Sequence, residues 1–171
     1  MIPNSAIVGI PSERHLASLT PADDHEEDTH ELMVDTDELV EHLLRTYGTI
    51  TVVGASATAA KAAHSVPAYM QQHGWRIIPV NPHAEQIFGE PVYRTLADVP
   101  EPIGLVDVFR PSPAAADVAR QAVAAGAEAL WLQLGIRSEE ARSIAESAGM
   151  LYVEDRCLII EQRRLDLDAP G

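Results

Sequence analysis

A stretch of small and polar residues between positions 54 and 65 has the types and spacing to bind a phosphate group. It directly follows a short apolar run at 50–53. Its relevant members are Gly54, Ala55, Ser56, Thr58, Lys61, His64 and Ser65. A buried strand that breaks at a glycine and leads into a helix presents backbone amides and a helix N-terminus, both of which attract anions. Because the side chains add charge-assisted donors, we predict that this loop binds the phosphates of a cofactor.

The end of the second predicted strand distinguishes between nucleotide cofactors. An NAD site has an acidic residue there, about 20 residues past the glycines, which accepts the ribose hydroxyl hydrogens. This chain has Asn81 at the strand end and no acid until Glu85, and the later fingerprint glycines are replaced by Ser56 and Ala59. NAD is therefore disfavoured. A neutral Asn81 tolerates the ribose phosphate of coenzyme A and equally that of NADP, so the residues alone leave these two open.

The charge distribution excludes some partners. The formal net charge is −14, with eleven acidic and two basic residues in 1–47 and fifteen acidic and ten basic in 48–171. Such a surface repels nucleic acid and anionic lipid, so neither is expected as a partner. The chain has no apolar run of about 18 residues and no basic, apolar leader. With a single cysteine, these features predict a cytoplasmic protein.

The periodicity predicts five strands that alternate with helices behind a leading helix. The predicted strands are 49–53, 75–80, 104–109, 127–132 and 150–153. The predicted helices begin near Thr36, His64, Pro113, Ser138 and Asp155. We expect an acidic, mostly irregular tail over 1–34, one domain over 35–166 and a C-terminal tail over 167–171. Alternation of this kind indicates an α/β, Rossmann-like, doubly wound parallel sheet with helices on both faces, for which we predict the strand order 3-2-1-4-5.

The topology then gives a place for the ligand. In open parallel sheets, ligands bind beyond the carboxyl ends of the strands, where the strand order reverses. The candidates at those ends are Gly54, Ala55, Ser56, Val80, Asn81, Pro82, Phe109, Arg110 and Gln133. Lys61 is the only lysine of the chain and lies in the loop that most needs a cation.

Seven segments, in order and at a characteristic spacing, resemble one family. They are 52–56, 64–66, 78–82, 106–110, 131–136, 155–158 and 160–161. The chain resembles the small, single-domain CoA-binding proteins, whose Rossmann domain is similar to the N-terminal domain of the succinyl-CoA synthetase α subunit. The resemblance covers roughly 37–165.

The resemblance implies a ligand, coenzyme A or an acyl-CoA, and a set of site residues. Gly54, Ala55 and Ser56 would hold the pyrophosphate, Val80, Asn81 and Pro82 would pack on adenosine, and Phe109, Arg110 and Gln133 would line the remaining mouth. The synthetase relatives have a lysine where this chain has Ala84. The resemblance therefore leaves Lys61 as the phosphate cation, with His64 beside it.

The sequence supports binding better than a reaction. It offers no confident pairing of nucleophile and base, and no histidine, cysteine and carboxylate cluster with metal-ligand spacing. Cys157 is expected to be inert packing. The alternative hypotheses are an NADP-dependent oxidoreductase and a non-enzymatic partner subunit that recruits another protein through its acidic tail. Homo-oligomerisation is left open.

Overall fold

A computed structural model describes residues 35–171, and the predicted tail over 1–34 lies outside them. The helices are α1 (Thr36–Thr46), α2 (Ala62–Gln72), α3 (Ser112–Ala124), α4 (Glu139–Ser147) and α5 (Leu158–Leu165). The strands are β1 (Thr49–Val53), β2 (Arg76–Val80), β3 (Gln86–Ile87), β4 (Glu90–Pro91), β5 (Leu105–Val108), β6 (Ala129–Leu132) and β7 (Leu151–Val153). A single 3₁₀ turn, Leu96–Asp98, precedes β5.

Five strands form one parallel sheet with helices on both faces, which confirms the predicted fold class. Buried side chains of α1, α2 and α5 form one apolar cluster on one face. Those of α3 and α4 form a second cluster on the other face. The central strands are buried on both sides, which explains why their sequences are mostly apolar.

The predicted strand order, 3-2-1-4-5, is wrong for one strand. The observed order is β2-β1-β5-β6-β7, so the third main strand pairs with β1 and leaves β2 at the edge. Pro79 explains the difference, because a proline has no amide hydrogen and is confined to edge strands. In the predicted order this residue would have stood in a strand bonded on both sides. The strand order therefore reverses between β1 and β5.

A short segment covers the end of the β2 edge. Tyr93 donates its backbone N–H to the Pro79 carbonyl at 3.0 Å and accepts from the Asn81 amide at 2.9 Å. The hairpin β3–β4, which was not predicted, connects β2 to this segment through a two-residue turn. Phe88 and Gly89 form that turn with φ of 60° and 73°. The path from β2 back to β5 is thus built without a crossover helix.

Local signals explain the helix boundaries. Ser138 accepts the Ala141 amide at 3.0 Å and begins α4 as predicted. Helix α1 is instead capped by Asp35, which accepts the amide of Asp37 at 3.1 Å. No helix within 35–171 is long and apolar enough to cross a membrane.

The last residues, predicted as a polar tail, lie along the domain. Ala169 donates its amide to the His73 carbonyl at 3.0 Å. The side chain of Gln162 donates to the Leu167 carbonyl at 2.6 Å. The C-terminus is therefore fastened to the end of α2 and to α5.

Candidate functional site

A cleft of about 310 Å³ opens where the sheet order reverses, at the carboxyl ends of β1, β2 and β5. We call it the strand-end cleft. It is lined by Val53, Gly54, Val80, Pro82, Arg94, Thr95, Arg110, Pro111, Ala114, Asp117, Val118 and Gln121. Its position is the one that parallel sheets use for ligands. Its volume is at the lower end of the range of about 300–1,000 Å³ that is typical of small-molecule sites.

A larger cavity adjoins the cleft but lacks its chemistry. This cavity of about 490 Å³ lies between the 3₁₀ turn and α3 and shares Thr95 and Gln121 with the cleft. The only charged residue in its lining is Glu101. An acidic, cation-free lining does not suit a phosphate, so the strand-end cleft is the better candidate site despite its smaller size.

Gly54 permits the chain to leave β1 in close contact with β5. Its φ is +86°, and a Cβ at this position would stand 2.8 Å from the carbonyl oxygen of Phe109. The same Cβ position lies 3.4 Å from Cδ of Arg110, so the arginine stem runs over the glycine. Both the backbone conformation and the space require glycine. The close approach brings Arg110 to the mouth of the cleft.

A proline inside α2 helps to position the loop after Gly54. The helix begins at Ala62, two residues before the predicted start near His64, so Pro67 lies in its interior. The missing amide of Pro67 leaves the carbonyl of Ala63 without its helical partner. That carbonyl accepts the amide of Ser56 at 3.1 Å. The loop is thereby fastened to the first turn of α2.

His64 holds the same loop from the helix side. Its Nδ1 donates to the Ser56 carbonyl at 2.7 Å, and its ring lies 4.8 Å from that of Phe88. The hydroxyl of Ser56 accepts the Thr58 amide at 3.0 Å. The structure thus places His64 behind the loop, where it positions the backbone.

Only some of the loop amides remain available for a ligand. Gly54 donates its amide to the Val80 carbonyl at 3.1 Å, and Ser56 donates to Ala63. Within residues 35–171, the amides of Ala55 and Ala57 have no acceptor. The available donors therefore alternate along the loop with those that hold it in place.

Cations without carboxylate partners gather at this end of the sheet. Among residues 35–171, four basic side chains have no carboxylate within salt-bridge distance: Lys61, Arg94, Arg110 and Arg163. Lys61 stands exposed immediately before α2, and Arg94 and Arg110 line the strand-end cleft. Two of the four thus line the cleft and a third stands at the start of the helix that follows β1, in a chain with a net charge of −14. The arrangement favours an anionic ligand.

Asn81 braces the cleft by joining two strand ends. Its Nδ2 donates to the Ala55 carbonyl at 2.8 Å. Its Oδ1 accepts the amides of His83 at 2.7 Å and of Ala84 at 2.9 Å. The predicted site residue therefore ties the end of β1 to the turn after β2, and Val80 and Pro82 supply the cleft wall on either side of it.

We expect Asn81→Ala to lower the free energy of unfolding by about 1–3 kcal/mol, because three hydrogen bonds are lost at a half-buried site. Urea denaturation measures the change. Asn81→Asp is the comparison variant: it keeps the two accepted bonds, loses the donation to Ala55 and sets a carboxylate oxygen against that carbonyl. An Asn81→Ala variant with the wild-type free energy of unfolding would contradict this account.

Arg94 is a cleft residue that the sequence did not indicate. Its Nη1 donates to the carbonyl of Asn81 at 3.1 Å and to that of Ala84 at 2.5 Å. Its guanidinium group therefore lies against Ala84, the residue that replaces the lysine of the synthetase relatives. The position of Arg94 could not be predicted from the sequence, because the unpredicted hairpin β3–β4 brings it back to β2.

Gln133 does not line the mouth as predicted but lies buried, 3% exposed. Its Nε2 donates at 2.9 Å to Oδ1 of Asp107, which is fully buried in β5. Within the described chain Oδ2 of Asp107 has no hydrogen-bond partner. Burial raises the pKa of Asp107 to about 8, against the opposing effect of the hydrogen bonds from Gln133 and the Val108 backbone. Phe109 is half-buried, and it is the Phe109 carbonyl that meets Gly54.

The chemistry of the site is that of a binding cleft. In the part of the chain that the structure describes, no group of three histidine, cysteine or acidic residues could hold a metal ion. Cys157 is half-buried at the start of α5, where it packs against the apolar cluster on that face. The strand-end cleft combines an apolar wall with two arginine side chains, and the acceptor-free amides of Ala55 and Ala57 lie in the loop that follows its Gly54.

Comparison with known proteins shows what this chain is similar to. The sequence model of the CoA binding domain family matches residues 48–163. The uncharacterized protein YneT of Bacillus subtilis is 32% identical over 119 residues, which cover 70% of this chain and 88% of that protein. The structure of cell-free ID.343 from Thermus thermophilus is similar with 39% identity and a TM-score of 0.71, covering 75% of this chain and 98% of that one. An acetate–CoA ligase (ADP-forming) of Methanocaldococcus jannaschii is 29% identical over 63 residues, 37% of this chain but 9% of the ligase.

Proposed function

Since this chain belongs to the CoA binding domain family, we propose that it binds coenzyme A or an acyl-CoA in the strand-end cleft. The observation that carries the proposal is the position of the cations. Arg94 and Arg110 line the cleft, and Lys61 stands immediately before α2 in the loop that follows β1; none of the three has a carboxylate partner within 35–171. Coenzyme A carries a pyrophosphate and a ribose phosphate, so it needs several such contacts.

The loop after β1 is the part of the site that would bind the pyrophosphate. The amides of Ala55 and Ala57 have no acceptor within 35–171, and the helix N-terminus that follows contributes its positive dipole end. Lys61, immediately before α2, adds a full charge. The adenosine would pack against Val80 and Pro82 in the cleft. His64 and Asn81 act by holding the loop and the strand ends in place.

Isothermal titration of the full chain tests this function. We expect saturable heat with coenzyme A and acetyl-CoA, and at least tenfold weaker binding of NADP and NAD. Tighter binding of NADP than of coenzyme A would favour the oxidoreductase hypothesis. No binding of coenzyme A or acetyl-CoA would reject the proposal.

Replacing Lys61 by glutamine should weaken coenzyme A binding about five- to tenfold, which corresponds to about 1–1.4 kcal/mol for one charge-assisted contact. The same calorimetric titration measures it. Arg163→Gln is the matched control, because Arg163 also lacks a carboxylate partner within 35–171 but packs on Tyr69, away from the cleft. An equal loss in both variants would mean that net charge, and not a contact by Lys61, sets the affinity.

A further inference from the structure

We propose that Arg94 and Arg110 form a subsite for a phosphate monoester on the ribose of the bound nucleotide, so that the chain selects coenzyme A over 3′-dephospho-CoA. The inference rests on the proposed function, because it names the part of that ligand which these two side chains bind. Both arginines line the strand-end cleft together with Val80 and Pro82, whereas Lys61 is not part of its lining. The pyrophosphate and the ribose phosphate of the ligand therefore have separate cations.

Arg94 has N–H groups that are free to donate to a phosphate. A guanidinium group has five N–H donors, and Nη1 of Arg94 uses its two on the carbonyls of Asn81 and Ala84. Within residues 35–171, Nε and Nη2 have no acceptor. The three remaining N–H groups form the fork that matches the oxygens of a phosphate.

The backbone around Arg94 is fixed on both sides. Before it, Tyr93 exchanges hydrogen bonds with Pro79 and Asn81 at the edge of β2. After it, Thr95 and Asp98 form a capping box at the start of the 3₁₀ turn. An arginine held at its backbone and at Nη1 loses little further conformational freedom when an anion binds, which favours affinity.

Arg110 approaches the same cleft from the end of β5, while Arg94 approaches from the end of β2. The stem of Arg110 runs over Gly54, with Cδ 3.4 Å from the position of a glycine Cβ. In the described part of the chain, no carboxylate lies within salt-bridge distance of either guanidinium group. A doubly charged phosphate monoester between them would neutralise both.

The one carboxylate in the lining restricts where an anion can lie. Asp117 lines the cleft from α3, and Gln121 donates to its Oδ2 at 2.8 Å. Repulsion from this carboxylate disfavours a phosphate on the α3 side of the cleft. The anion is thereby confined to the side of the two arginines.

Titration of the full-length Arg94→Gln variant tests the subsite, with four probes: coenzyme A, 3′-dephospho-CoA, adenosine 3′,5′-bisphosphate and AMP. We expect the wild type to bind coenzyme A at least tenfold more tightly than dephospho-CoA. Arg94→Gln should weaken coenzyme A and the bisphosphate at least tenfold and change dephospho-CoA and AMP less than twofold. Arg163→Gln, with the same loss of charge, should leave all four affinities unchanged. A circular dichroism melt of each variant controls for folding.

The outcomes separate the subsite from the function. If the wild type binds coenzyme A but Arg94→Gln weakens coenzyme A and dephospho-CoA equally, or weakens neither, the subsite is rejected and the function stands. If the wild type binds the bisphosphate through Arg94 but does not bind coenzyme A, the subsite stands and the function is rejected. If the wild type binds none of the four probes, both are rejected.

Discussion

Replacing Gly54 by alanine is expected to abolish coenzyme A binding and to lower the free energy of unfolding by about 2–5 kcal/mol. The backbone at Gly54 has a φ of +86°, which costs an L-residue about 1–2 kcal/mol. The new Cβ would also lie 2.8 Å from the carbonyl oxygen of Phe109, and relieving such a contact costs about 1–3 kcal/mol. Because β1 and β5 must separate at the cleft to make room, binding is lost together with stability. Urea denaturation and calorimetric titration measure the two effects.

Gly126→Ala provides the control that isolates the contact from the backbone strain. Gly126 has a φ of +75°, but a Cβ there would meet nothing within 4 Å. We therefore expect only the conformational cost of about 1–2 kcal/mol and unchanged affinity. Equal destabilisation in the two variants, or an alanine at position 54 that binds coenzyme A normally, would contradict the close approach of β1 and β5 on which the site depends.

The free energy of unfolding is expected to fall as the pH rises from about 5 to about 8. The substitution Asp107→Asn should remove most of this dependence. Burial raises the pKa of Asp107 from 3.8 to about 8, so in this window the folded protein binds a proton that the unfolded chain has released. Linkage then requires the free energy of unfolding to decrease with pH, by at most about 1.4 kcal/mol per unit for one proton. Above about 8 the contribution of this group becomes constant. Urea denaturation at a series of pH values measures the slope.

The Asp107→Asn variant keeps the acceptor for Gln133 and removes the ionisation. Its advantage in stability over the wild type should grow as the pH rises from about 4 to about 8. A wild type whose stability is flat or increases between these values would show that Asp107 is already ionised in the folded protein. An Asp107→Asn variant whose free energy of unfolding keeps the wild-type dependence on pH would lead to the same conclusion.

Much of the fold was predictable because the sheet is buried on both faces. Mostly apolar runs mark the five main strands, and Ser138 begins α4 where its side chain caps it. The strand order was the exception. Its signal was in the sequence, since Pro79 within the second strand already requires an edge position. Alternation of strands and helices alone does not distinguish the predicted order from the observed one. Only the edge position that Pro79 requires distinguishes them.

The candidate site was predictable where a residue's role follows from its backbone position. Gly54, at the end of a buried strand, is the clearest case, because both its conformation and its neighbours exclude a side chain. Arg94 could not be found in this way, since a hairpin of unpredicted geometry returns it to β2. Gln133 was placed at the strand end correctly, but whether it faces the cleft or Asp107 depends on packing between strands. Periodicity does not encode that choice.

Backbone amide chemical shifts of the full chain during titration with coenzyme A test the central claim most directly, because they report binding and its location together. We expect saturable changes at the amides of Ala55 and Ala57, of Asn81, His83 and Ala84, and of Arg94 and Arg110, with the residues of α4 and β7 unaffected. An absence of changes would contradict the proposed function. Saturable changes that are confined to other parts of the chain, such as the cavity between the 3₁₀ turn and α3, would show that coenzyme A binds elsewhere and would contradict the assignment of the strand-end cleft.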